Sequence, residues 1–299
     1  MPEYSAQKKL DNTGKIVLDD IYNAEDPASY YLTLGKLDYV IPEAARAVFV
    51  ALIEALQRER GLERVTIADI GCSYGVNAAI LKYDLSFSEL VARYAAKRAE
   101  GLAGAALLRD DRAFYDAHGE TRPLNVVGLD TASRAVAYAE SAHIIDAALN
   151  RNLEEQPLDS LAERVLADVD LVISTGAVGY VGAPTFTKVL EGARGKPWVA
   201  SFVLRQFDFD PIADALAPGG YVTESPGELV FPQRLFASDE ERDGAMARLA
   251  RVGKPPTPLE EAGWYASTLH VSRPADEARR ASLKEMLSNA VLPASADVA

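Results

Sequence analysis

Two hydrophobic periods alternate along this chain, and the change from one to the other is sharpest at Gly71. The run V-T-I-A-D-I from Val65 is apolar and rich in β-branched residues; the small residues G-C-S-Y-G follow, and helix formers resume at Val76. That succession predicts a buried strand, a tight loop and the start of a helix over 76–83. Similar apolar runs recur at 125–130 (N-V-V-G-L-D), in D-L-V-I-S-T ending at Thr175, and at 198–204. Tyr221 to Glu224 opens a final antiparallel pair, completed by the alternating segment 264–272.

Between these runs the spacing is helical. An amphipathic helix is predicted over 42–60, with Pro42 in its first turn and Gly61 at its end. Ser86 and Glu89 form a capping-box pattern that opens a helix to about Glu100, and a second helix runs over 105–118 to Gly119. Further helices are predicted after Asp130 and over 184–192, 210–217 and 238–252. Strands alternating with helices imply an α/β sheet. The two helices between the first and second strands exceed what a minimal βαβ unit needs. They read as a helical insertion, 84–122, which could serve as a cap or as a homo-oligomer contact.

In an open α/β sheet a strand-to-helix loop lies at the carboxyl edge, where N–H groups at the helix start can face a ligand. Three patterns compete for residues 69–76. A dinucleotide fingerprint registered on Gly71 puts Ser73 and Val76 where glycines belong. A nucleophile elbow, G-x-S-x-G, is matched by Gly71, Ser73 and Gly75, and Ser73, a later Asp and His270 stand in the required order. Such an elbow normally follows several strands, however, and here the loop follows the first convincing one. His270 also sits inside the strand-like W-Y-A-S-T-L-H-V-S. The third pattern is D-x-G-x-G-x-G, met by Asp69, Gly71 and Gly75 with Ser73 at the middle glycine; it resembles the cofactor loop of class I S-adenosylmethionine (SAM) dependent methyltransferases. Asp130 ends the second strand, where nucleotide-binding α/β folds place an acid for the ribose hydroxyls. The insertion stretches the usual loop-to-acid spacing of about 20 residues well beyond that figure.

The resemblance covers roughly 65–274 and implies a Rossmann-like, seven-stranded sheet with a terminal antiparallel hairpin. It implies a SAM-binding domain over 62–290 behind an N-terminal helical cap segment, 1–61, with SAM as cofactor. In such enzymes a polar residue after the third strand contacts the adenine amino group, which places Asn152 and Leu153 there. Residues at the end of the fourth strand, Thr175 and the following G-A-V-G-Y-V, would lie beside the transferred methyl. N-P-P-Y and D-P-P-Y, the signatures of amino-group methylation on nucleic-acid bases, do not occur.

Composition narrows the rest. The chain has 299 residues, 48% hydrophobic and 25% charged, ample for a globular core. With 44 acidic against 31 basic residues, its net charge of −13 disfavours a nucleic-acid partner. The most apolar helical stretch, 45–56, is interrupted by Glu54, and the polar start lacks a signal-peptide core, so no membrane partner and a cytoplasmic location are expected. A single cysteine, Cys72, excludes an internal disulfide or a multi-cysteine metal cluster, and His118, His143 and His270 are isolated, so no metal is expected. Met1 to about Asp20, and the final L-P-A-S-A-D-V-A, are expected to be loosely held.

Candidate substrate-side residues are fewer. The segment I-Y-N-A-E-D-P-A-S-Y-Y-L-T-L-G-K-L-D-Y-V-I-P could close over a site, with Tyr30 and Tyr31 facing substrate, or simply pack. Tyr180 is the candidate for a cation–π contact with a sulfonium. Arg205 could hold an anionic substrate or pair with Asp208. The expected activity is methyl transfer from SAM to a small molecule, in the setting of natural-product metabolism. Two alternatives stand beside it. One is a hydrolase built on Ser73. The other follows from the N-terminal segment, which resembles methyltransferase-like proteins of natural-product pathways. Some of those close SAM's aminobutyrate chain into a four-membered ring amino acid and release methylthioadenosine.

Overall fold

The computed structural model describes residues 19–227 and 229–288. The stretch before residue 19 and the final L-P-A-S-A-D-V-A, expected to be loose, lie outside the described residues, apart from Asp19 and Asp20, which open a short helix. Eight strands form one sheet: β1 (Val65–Ile70), β2 (Leu124–Leu129), β3 (Ala147–Leu149), β4 (Leu171–Thr175), β5 (Trp198–Leu204), β6 (Tyr221–Glu224), β7 (Val230–Leu235) and β8 (Trp264–Pro274). Their order is β3-β2-β1-β4-β5-β8-β6, with β7 also on β8. The first five strands in that row are parallel, and β8 runs antiparallel to β5, β6 and β7. β1 has parallel neighbours on both sides and is covered on both faces, which explains its nearly continuous apolar run. Alternation sends Val65 and Ile67 to one core layer and Ala68 and Ile70 to the other.

The helices preceding or flanking the first strands are α1 (Asp19–Tyr22), α2 (Ala28–Gly35), α3 (Ile41–Arg60), α4 (Val76–Tyr83), α5 (Phe87–Ala99), α6 (Gly104–His118) and α7 (Ser133–Ser141). α5 opens on the expected capping box, Ser86 with Glu89. α2 lies against α5, and Tyr31 of α2 is fully buried, stacked on Tyr94 of α5 at 4.6 Å. The N-terminal helices thus share one hydrophobic layer with the sheet. α6 contributes Asp111, fully buried, whose carboxylate accepts from Tyr94 (2.9 Å), from Tyr138 of α7 (2.7 Å) and from Arg93 (2.7 Å). Helices Ser160–Leu166, Ala183–Gly192 and Asp210–Leu216 cover the other face.

The sheet has one strand more than the seven expected. β7 escapes a sequence reading because V-F-P-Q-R-L contains Pro232, which cannot donate to a ladder and is tolerated only at edges and bulges. Phe231 supplies the reason that it is nonetheless a strand: its ring packs edge-on against Phe202 of β5 (4.9 Å), which meets Phe49 of α3 (5.3 Å). The register on β8 shifts between Pro232 and Arg234, so Gln233 sits in a β-bulge. The outer edge of β7 is covered by the α2–α3 linker: Val40 N–H donates to Gln233 O (2.8 Å) and Leu235 N–H to Leu37 O (2.8 Å).

Candidate functional site

The carboxyl edges of β1, β2 and β4 meet at the reversal of strand order, the place where open α/β sheets bind ligands. After β1 the chain turns on Gly71 (φ 76°) and re-enters helix at Gly75 (φ 77°). Both positions exclude a side chain: a Cβ on Gly71 would lie 2.8 Å from the Ala177 Cβ, and one on Gly75 would lie 2.8 Å from Ile144. Ser73 also adopts positive φ (48°), unusual for a residue with a Cβ. Its N–H donates to Asp130 Oδ2 at 2.9 Å, which helps hold the turn. The other Asp130 oxygen accepts from Ala132 N–H (2.9 Å), and Asn150 holds the Asp130 carbonyl (2.8 Å). The acid at the end of β2 is thereby fixed against the loop that leaves β1.

Behind the loop lies a buried polar group. Asp69 is fully buried and accepts from Asn77 Nδ2 (3.0 Å), which also reaches Thr175 Oγ1 (3.2 Å). Burial, opposed by the Asn77 hydrogen bond and reinforced by the charge of Asp130, pushes the Asp69 carboxyl up to about 7. Asp69 Oδ2, Asn77 Oδ1, Ser73 Oγ and Gln233 Oε1 are buried and have no hydrogen-bond partner among the described residues. Gln233 leans over Gly176, where a Cβ would come within 2.5 Å of its Nε2.

Tyrosines close the site from above. Tyr39 lies within hydrogen-bonding reach of Tyr30 and Thr175, and burial pushes its phenol up to about 12. Tyr22 packs edge-on against Tyr30 (5.5 Å) and leaves 37% of its surface exposed. Desolvation of its hydroxyl raises its pKa, with Tyr39, Tyr180 and Asp130 adding to the effect and Arg234 opposing it. The segment that carries Tyr22 is tied down on both sides. Asn23 Oδ1 accepts from Arg134 N–H (2.8 Å), Ala24 O accepts from Tyr74 (2.9 Å), and Asp26 accepts from Gly104 N–H (2.9 Å).

The structure brings Asp69, Gly71, Ser73, Gly75, Asp130 and Thr175 together at one edge. Asn152 and Leu153 lie in the turn after β3; Asn152 Oδ1 accepts from Glu154 N–H (3.1 Å), and Leu153 is buried. Tyr180, on the loop after β4, is 77% exposed. Two substrate-side expectations are corrected. Arg205 is buried beside β8, with its guanidinium held by Glu260 and Pro255 O (2.9 Å), so it does not pair with Asp208 and is not a free cation for a substrate. Tyr31 belongs to the core between α2 and α5, with Tyr30 and not Tyr31 beside the site tyrosines. A sequence reading misses Asn77 and Gln233. Asn77 had a signal: in the otherwise apolar V-N-A-A-I-L-K-Y of α4, every residue is buried, so its two polar side chains must be partnered. The other, Lys82, meets Asp146 (2.7 Å) and Glu120 (3.2 Å) beside an acidic cavity of about 550 Å³ between α4, α6 and α7, away from this edge.

Ser73 lacks the base that an elbow requires. All three histidines are engaged elsewhere: His118 with Tyr83 O (2.8 Å), His143 with Asp116 (2.7 Å) and His270 with Thr268 (3.1 Å). Ser73 is itself buried. Among the described residues no His, Cys, Asp and Glu cluster could hold a metal ion, and no helix is long and apolar enough to cross a membrane.

A five-stranded parallel row reversed after β1, and closed by an antiparallel strand inserted between β5 and β6, is the Rossmann-like sheet of class I methyltransferases. Solved structures similar to this chain include the magnesium protoporphyrin IX methyltransferase of Synechocystis PCC 6803 with bound SAM (10% identity, 88% of this chain and 92% of that one, TM-score 0.41). Others are the plantazolicin methyltransferase in complex with SAH (9%, 86% and 93%, TM-score 0.40) and a TehB-like SAM-dependent methyltransferase of Corynebacterium glutamicum (13%, 73% and 85%, TM-score 0.36). No family model matches the chain, and neither does any curated protein. At such identities and TM-scores the fold assignment rests on this chain's own strand order.

Proposed function

We propose that this protein is a SAM-dependent methyltransferase acting on a small molecule. The observation that carries the reading is Asp130, fixed at the end of β2 against the glycine-flanked loop after β1, in a sheet of this topology. The residues fit the cofactor. Each Asp130 oxygen accepts one N–H and keeps a lone pair for a ribose hydroxyl. The loop glycines leave room for close approach of a ligand to backbone, and the unpartnered oxygens of Asp69, Asn77 and Ser73 suit its polar groups. Asn152 and Leu153 are assigned to the adenine.

When bound, SAM supplies a methyl on a sulfonium that a nucleophilic acceptor displaces in line. The chain's own contribution is alignment and exclusion of water. In this reading Asp130 and the loop hold the nucleoside end, Tyr22, Tyr30 and Tyr39 lie together beside it, and the exposed Tyr180 is assigned to the sulfonium. Aromatic faces favour a cation by about 0.5 to 2 kcal/mol. With net charge −13 and Arg205 engaged by Glu260, a small neutral or cationic acceptor suits this edge better than a nucleic acid.

The test is incubation of the full chain with SAM, with and without candidate acceptors, followed by chromatography of the nucleoside products. S-adenosylhomocysteine appearing only with an acceptor supports the proposal. Catalytic formation of methylthioadenosine from SAM alone would replace methyl transfer by ring closure. Stoichiometric labelling of Ser73 by a serine-directed phosphonate would favour a hydrolase instead.

A further inference from the structure

Neither α6 nor α7 begins with a cap of its own. Each follows an alanine, Ala103 or Ala132, which has no side-chain oxygen to accept from the free N–H groups of a first turn. Both helices are served instead by four consecutive residues of the N-terminal segment, Asn23 to Asp26. Asp26 Oδ2 accepts from Gly104 N–H, the first of α6, at 2.9 Å, while its Oδ1 accepts from Ala28 N–H of α2 (3.0 Å). Asn23 Oδ1 accepts from Arg134 N–H, at the second position of α7, at 2.8 Å. That is where an N-cap oxygen acts, and here it comes from 111 residues away. The fit is close: a Cβ on Gly104 would lie 2.6 Å from Glu25 Oε1. Tyr74, in the loop after β1, donates to Ala24 O (2.9 Å), so the same four residues also hold the glycine-flanked turn.

The cap on α7 matters because of what lies at that first turn. Ala132 donates its N–H to Asp130 Oδ1 (2.9 Å), and its carbonyl accepts from Val136 N–H (3.2 Å) as the first bond of the helix. An uncapped first turn frays, and fraying here frees the Asp130 carboxylate from one of the two N–H groups that fix it. We propose that Asn23 is a positioning residue for Asp130: through the cap on α7 it couples ligand binding at the β1–β2 edge to the docking of the N-terminal segment. Such coupling is reciprocal, so a ligand held by Asp130 tightens the cap as much as the cap tightens the ligand. The inference rests on the cofactor reading above and gives the segment a role that the packing of its tyrosines does not supply.

The experiment measures S-adenosylhomocysteine affinity by calorimetry on the full chain, and hydrogen exchange of the Arg134 amide with and without that ligand. Asn23→Ala should weaken binding about threefold to tenfold, the usual worth of an N-cap expressed as a ratio. Asn23→Asp keeps an accepting oxygen and should bind within about twofold of wild type. In wild-type protein the ligand should slow exchange at Arg134 by at least about threefold, a response that a merely structural side chain would not give. Thermal melts verify that each variant is folded; should Asn23→Ala not fold, the Arg134 measurement on wild-type protein decides. Exchange at Arg134 that ignores the ligand, equal affinities of wild type and folded Asn23→Ala, or a loss in Asn23→Asp as large as in Asn23→Ala overturns the inference while leaving the cofactor reading intact. Folded wild-type protein that does not bind the ligand overturns the cofactor reading, and this inference with it.

Discussion

The two sides of the site are built by different means. On the β1–β2 side, positions are set by local chemistry: a loop that needs positive φ at Gly71 and Gly75, and an acid placed where β2 ends. On the β7 side, positions are set by long-range pairing. Gln233 reaches the site because its strand bulges against β8 and because residues 37–40 cover its free edge. The first side should therefore fail one interaction at a time, whereas damage to the second should spread through the tyrosine layer into the core.

The sharpest test of that difference is Asp130→Ala. Loss of two charge-assisted hydrogen bonds to a ribose should weaken SAM and S-adenosylhomocysteine by about 3 to 6 kcal/mol. Titration calorimetry would show it, beside a smaller loss of stability from the Ser73 and Ala132 N–H bonds that the carboxylate also accepts; a folded variant of unaltered affinity would remove Asp130 from the site. Tyr31→Ala acts on the other side. Deleting a fully buried ring stacked on Tyr94 should cost about 3 to 5 kcal/mol of stability in a urea titration. A cost below about 1 kcal/mol would show that the α2–α5 layer is dispensable to the fold.

A smaller effect is expected from pH. Because the folded protein holds the Asp69 carboxyl at about 7 instead of 3.8, chiefly through burial, it keeps the proton that the unfolded chain loses. The stability this contributes is complete below about 3.8, falls as pH rises towards 7, and is level above it. Asp69→Asn should flatten this profile, as urea denaturation at pH 5.5 and 8 would reveal; parallel profiles in the two proteins would exclude Asp69 as the titrating group. The smallest effect belongs to Tyr180→Ala. An exposed ring beside a cation contributes about 0.5 to 2 kcal/mol. SAM affinity should fall slightly while that for neutral S-adenosylhomocysteine does not, and equal losses for both would mean a packing role.

The same division explains what the sequence discloses. Gly71, Gly75 and Asp130 are legible because a backbone conformation or a strand end demands their residue types locally. The Ser86–Glu89 cap is legible for the same reason, its partners being three residues apart. β7 is not, since Pro232 argues against a strand and only the edge-on packing of Phe231 on Phe202, which in turn meets Phe49, overrides it. Arg205 misleads because a lone arginine after a strand looks available, and its partner Glu260 is remote in sequence. The tyrosine-rich segment advertises a cap without saying which ring faces the site, because α2 turns Tyr31 into the core and leaves Tyr30 beside Tyr22 and Tyr39.

Asp111 bears on how the molecule breathes. One buried carboxylate joins Tyr94 of α5 to Tyr138 of α7, so α6 cannot lift away without stranding hydroxyls in a dry interior. Amide hydrogens across α5, α6 and α7 should then exchange with deuterium as one cooperative block, opening together and not from the insertion inward. α7 follows directly on the loop held by Asp130, so the opening of that block would also set how fast the edge around Asp130 can loosen.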